Sequence, residues 1–66
     1  MKNSIKVERA KNSMTQADLA SSIGVSRQSI NAIEKGKFVP STVLALKLSK
    51  LFNVSVEQLF SLDAED

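Results

Sequence analysis

Four side chains within nine residues, Arg27, Gln28, Asn31 and Lys35, either form two hydrogen bonds at once or carry a fixed positive charge. At that spacing they share the outer face of one helix, joined at its N-terminal end by Ser26 and Ser29. Gln and Asn match the N6 and N7 edge of adenine, and Arg matches O6 and N7 of guanine. A helix presenting such groups fits the major groove of a duplex, which is about 12 Å wide. Helix starts at Gln16 and Arg27 add free backbone amides and positive dipole ends, which favour phosphate oxygens. The chemistry offered is non-covalent recognition. The same residues also fit an ordinary solvated face, so the elements that hold them decide the reading.

Covalent chemistry has little to work with. The chain has no His, Cys, Tyr or Trp, which leaves carboxylates, lysines and hydroxyls, and no spacing pairs them into a catalytic site. Disulfides and thiolate metal sites are excluded, and neither a metal nor a cofactor is expected. The longest apolar runs are a few residues, against the roughly 20 that a spanning helix needs, and the N-terminus lacks a signal-peptide core. A cytoplasmic protein without a membrane partner is expected.

Apolar residues recur at helical rather than alternating spacing and imply five helices. Thr15 caps the second helix in a T-x-x-D box with Asp18, flanked by Met14 and Leu19 at the staple positions. Ser26 caps the third with Val25 and Ile30 as staple, and Ser55 caps the fifth with Gln58 closing a box and Val54 against Leu59. Ser41, after Pro40, starts the fourth. Leu44, Leu48, Leu51 and Phe52 form its core stripe, and Val56, Leu59 and Phe60 that of the fifth. The first helix spans roughly 4–12, with Ile5 its one strongly apolar core residue and residues 1–4 either frayed or extended.

Ser22-Ile23-Gly24-Val25 is too short a connection for antiparallel helices, so the second and third must cross steeply. Gly24 supplies the left-handed residue of the turn, and Ala20 lets the next helix approach closely. Leu19, Ala20, Ile23, Val25, Ile30 and Ile33 then fill the angle between the two helices.

With 66 residues and 42% apolar content, the chain supports one small core and therefore one domain, residues 1–66. Its net charge is +2, unevenly distributed. Residues 1–50 hold all nine basic side chains against Glu8, Asp18 and Glu34, a net +6; residues 51–66 hold four acids and no base, a net −4. This division reads as a basic working face with an acidic end turned away from a polyanion, or as ordinary solvated surface.

Gln16-Ala17-Asp18-Leu19-Ala20, Gly24-Val25-Ser26-Arg27-Gln28, Ile30 and Ile33-Glu34-Lys35-Gly36-Lys37 resemble the helix-turn-helix of the Cro/CI (Xre) class of bacterial and phage regulators. The likeness extends through Pro40 and residues 54–60 to nearly the whole chain, and it is similar to the short, single-domain members. It implies an all-α fold, a compact five-helix, lambda-repressor-like bundle whose helix-turn-helix spans about 16–35. It also implies a transcriptional regulator that binds double-stranded DNA, a repressor at a pseudo-palindromic operator. Gln16 would bond a phosphate and orient Gln28; Gln28 and Arg27 would read bases. Ser26 and Ser29 would touch phosphate or a thymine methyl, Asn31 the backbone or a base edge, and Lys35 and Lys37 phosphates. Ala32 stands where related repressors often carry a polar base reader, so specificity rests on fewer side chains.

The resemblance further implies that Arg9 and Glu34 form a partly buried ion pair that joins the first helix to the end of the third and acts in folding. Val43, Leu46 and Leu62 fall outside the core stripes; a monomer can expose a few such residues, and the homodimer that the resemblance implies would bury some of them in its interface. A different function class stays open, a protein-binding module such as an antitoxin or assembly partner. Antitoxins of this fold usually carry a further toxin-binding segment, and this chain stops soon after its fifth helix. An unknown protein partner or inducer would account for release from DNA.

Overall fold

Each of four helices starts at a hydroxyl that accepts from the backbone N–H three residues on. In the computed structural model, which describes residues 1–66, Thr15, Ser26, Ser41 and Ser55 accept from Asp18, Ser29, Leu44 and Gln58. Asp18 and Gln58 return the bond to the N–H of Thr15 (3.0 Å) and Ser55 (2.8 Å), closing two capping boxes. The Thr15 backbone and side chain together hold the Asp18 carboxyl below its ordinary range.

The elements are β1 (Lys2–Asn3), α1 (Ile5–Lys11), α2 (Gln16–Ile23), α3 (Arg27–Glu34), α4 (Thr42–Phe52), α5 (Val56–Leu59) and β2 (Phe60–Ser61). Eleven apolar residues form one core, to which α2 and α3 contribute Leu19, Ala20, Ile23, Ile30 and Ile33. Ile5 is fully buried, and Met14, Val25, Val54 and Val56 pack against the core from its margin. The fold is all-α apart from one small strand pair.

That pair was not anticipated. β1 and β2 run antiparallel with Lys2 opposite Ser61 and Asn3 opposite Phe60. The Ser4 N–H donates to the Leu59 carbonyl (2.9 Å) and the Ser4 hydroxyl to that of Gln58 (3.1 Å). Two-residue strands are too short to leave an alternating pattern, so no local signal announces them. α1 accordingly begins at Ile5, with Lys2 and Asn3 extended ahead of it.

Leu51 also departs from expectation: it is 40% exposed. The α4 core stripe centres on Leu48, fully buried, between Leu44 and Phe52. Leu51 lies at the stripe's edge, where α4 parts from the end of α2. α2 itself runs through Ile23, so the connection to α3 is the three residues Gly24, Val25 and Ser26. α4 ends at Asn53 in the left-handed region (φ 55°), a conformation Asn tolerates better than most residues.

Candidate nucleic-acid interface

The site begins with one backbone conformation. Gly24 has φ 77° and ψ 35°, and its N–H donates to the Ala20 carbonyl, as does that of Val25 (3.0 Å). A Cβ at Gly24 would meet nothing within 4 Å, so the left-handed backbone rather than space calls for glycine. The turn sends the chain directly into α3, which Ile30 (0% exposed) and Ile33 (1%) hold against the core. Ala20, buried where the two helices meet, offers only a methyl to that packing.

Burial of Ile30 and Ile33 leaves the opposite face outward. Arg27 and Gln28 are exposed in the first turn of α3, and Ser29 and Asn31 are half-buried beside them. Ser26 is exposed and committed to its cap, accepting from the Ser29 N–H (3.1 Å), while the Ser26 and Ser29 hydroxyls bond each other at 2.9 Å. At the other end Gly36 is left-handed (φ 74°), and the Gly36 and Lys37 N–H groups donate back to the Ile33 and Ala32 carbonyls. Lys35 and Lys37 flank that turn, both exposed. Arg27, Lys35 and Lys37 enter none of the ion pairs of the protein.

Behind this face one carboxylate joins three helices. Glu34, at the end of α3, accepts from Arg9 Nε at 2.6 Å and Arg9 Nη2 at 3.0 Å, and Arg9 Nη1 donates to the Met14 carbonyl at 3.0 Å. Gln16, the first residue of α2, donates its Nε2–H to Glu34 Oε1 at 3.1 Å. The Arg9 and Glu34 side chains are 14% and 7% exposed. Burial pushes the Glu34 carboxyl up, but the hydrogen bonds from Arg9 and Gln16 outweigh it and hold the group below its ordinary range. The Glu34 hydrogen bond correspondingly raises Arg9.

One contact here was not anticipated: Gln16 donates to Glu34. A carboxylate is a stronger acceptor than the exposed Gln28 amide, and the Arg9 pair already holds it in place. The Asn3 amide, which sequence reasoning passed over, donates to the Ile33 carbonyl at 2.8 Å and ties β1 to the end of α3. Thirty residues separate the two, and no local pattern signals the bond.

The acidic end is likewise not remote from α3. Asp63 and Asp66 approach the Met1 ammonium at 2.9 and 3.2 Å, and Lys2 lies 3.9 Å from Asp63. A Cβ at Gly36 would stand 3.5 Å from the Met1 carbonyl oxygen, so β1 carries these acids toward the C-terminal end of α3 with a cation between them. Their hydrogen bonds raise the Met1 ammonium, and the Asp63 N–H, followed by that ammonium, lowers Asp66.

Val43 (65% exposed), Leu46 (52%) and Leu62 (79%) are open to solvent. A groove of about 550 Å³ between α2 and α4 is lined by Ser21, Ser22, Ile23, Gly24, Lys47, Lys50 and Leu51. It holds no carboxylate and no residue of the α3 face. No helix is long and apolar enough to cross a membrane, and no three His, Cys, Asp or Glu side chains are placed to hold a metal.

The sequence profile of a helix-turn-helix family matches residues 5–59, from the start of α1 to the end of α5. Among curated proteins the chain is 55% identical over 60 residues to an uncharacterised HTH-type transcriptional regulator of Methanocaldococcus jannaschii, covering 91% of each. A protein of the same description from Bacillus subtilis is 46% identical over the full length of both chains. Another from Archaeoglobus fulgidus is 46% identical over all of this chain and 93% of its own length.

Proposed function

The chain belongs to the helix-turn-helix family of DNA-binding transcriptional regulators and is not an enzyme, and from that premise we propose that it is a repressor binding a pseudo-palindromic operator as a homodimer. The observation that carries this reading is the α3 face: Arg27 and Gln28 stand exposed in its first turn, and the face bears no carboxylate. Arg27 and Gln28 read base edges in the major groove, with Asn31 on a base edge or the adjacent backbone. Gln16, Ser26, Ser29, Lys35 and Lys37 hold phosphates, which supply affinity and register, while sequence preference comes from the base contacts.

Exposed Val43, Leu46 and Leu62 supply the surface for a second copy. A two-fold dimer sets two recognition helices about 34 Å apart, one turn of duplex. Repression follows from occupancy, because a dimer seated on a promoter excludes polymerase.

The test is selection of bound duplexes from a random library at about 150 mM salt, with wild type and Gln28→Ala side by side. An inverted repeat whose preference relaxes at one base pair per half-site in the variant is the expected result. A folded protein that enriches no sequence would overturn the reading and favour a module that binds protein instead.

A further inference from the structure

Gln16 opens α2, and its side-chain amide has one engaged group, the Nε2–H donated to Glu34. A carboxylate only accepts, so the nitrogen of the amide must face Glu34 and its rotation is settled by chemistry. That leaves the second Nε2–H unengaged. Two bonds from Arg9 fix Glu34 itself, and a third bond ties Arg9 to the Met14 carbonyl just before α2. The charge is balanced as well. A bare carboxylate beside a phosphate would repel it, whereas here the Arg9 guanidinium lies against both oxygens, and Lys6 adds a favourable field.

We infer that Glu34 is a positioning residue for DNA binding: by accepting one N–H of Gln16 it presents the other to a backbone phosphate, while Arg9 neutralises the carboxylate that does so. The inference rests on the proposed phosphate contact of Gln16. The Arg9–Glu34 pair therefore serves recognition as well as folding. A half-buried glutamine left free loses rotamer freedom on binding; one already held has less to lose.

A comparison that removes both charges isolates the acceptor. Arg9→Met with Glu34→Gln keeps an oxygen able to accept from Gln16, and Arg9→Met with Glu34→Leu does not. Affinity for the selected duplex is measured for both pairs, with and without Gln16→Ala, and corrected for the folded fraction found by urea denaturation. With Gln16 present the leucine pair binds about 3- to 12-fold more weakly than the glutamine pair, the cost of ordering one freed side chain on binding. With Gln16→Ala the two pairs agree within about 2-fold. A difference that persists without Gln16 means that Glu34 acts through the fold and overturns the inference, as does no difference when Gln16 is present. If Gln16→Ala alone leaves duplex affinity unchanged, the phosphate role of Gln16 fails and the inference with it, while DNA binding stands. If the wild type binds no duplex, the proposed function itself fails.

A second measurement needs no variant. In ¹⁵N spectra of the wild-type protein, one Gln16 amide proton is expected to shift when duplex is added while its partner stays in place. If both stay in place, the inference is overturned.

Discussion

Replacing Arg9 by alanine tests how much of the fold hangs on the junction of α1, α2 and α3. The substitution removes three hydrogen bonds, two to Glu34 and one to the Met14 carbonyl, and leaves the Glu34 carboxylate, 7% exposed, with Gln16 as its remaining side-chain donor. Breaking one partner of a buried pair costs about 3–5 kcal/mol. Arg9 is 14% exposed, so water can reach the site and the lower end applies, about 3 kcal/mol. A core of this size supplies roughly 3–5 kcal/mol in all. With a urea dependence of about 1 kcal/mol per molar, the midpoint should fall by about 3 M, and Arg9→Ala should be barely folded in water. Removing both charges, as Arg9→Met with Glu34→Leu, leaves no unpaired buried charge and should lie within about 1 kcal/mol of wild type. Urea denaturation followed by far-ultraviolet circular dichroism at pH 7 measures both. An Arg9→Ala midpoint within about 0.3 M of wild type, or a double variant less stable than Arg9→Ala, would refute the reasoning.

At Gly24 the cost of a side chain is conformational alone, since a Cβ meets open space. Gly24→Ala should lose about 1–2 kcal/mol in urea denaturation, and Gly24→Asn distinctly less, because Asn tolerates positive φ; equal losses would point to an unrecognised clash. The Glu34 and Asp18 carboxyls titrate below their ordinary values of 4.5 and 3.8 in the folded protein. Their contribution is therefore present above those values and lost as pH falls through the lower folded ones. Stability measured by denaturant should decline below about pH 4.5, and less steeply in the Arg9→Met, Glu34→Leu double variant. Leu46→Glu, at a half-exposed position on α4, should leave the thermal midpoint nearly unchanged while converting the proposed dimer to a monomer in sedimentation and weakening binding to the selected duplex; an unchanged sedimentation coefficient would remove Leu46 from the proposed interface.

Features with short sequence separation were legible in the chain itself. The four hydroxyl caps, both capping boxes, the left-handed Gly24 and the polar α3 face each depend on residues within about one helical turn, or on burial of a face that periodicity identifies. The family resemblance likewise rests on short motifs, and the profile match over residues 5–59 covers the same ground. Apart from the Arg9–Glu34 pair, which the family resemblance implied, tertiary structure alone decided which groups meet across the chain. Asn3 reaching Ile33, Gln16 reaching Glu34, and β1 pairing with β2 join residues 18 to 59 positions apart. Leu51 belongs with them, because a residue at the edge of an apolar stripe is buried or exposed according to where the neighbouring helix ends. A local pattern records what each residue prefers, whereas these contacts depend on how the packed helices divide the space between them.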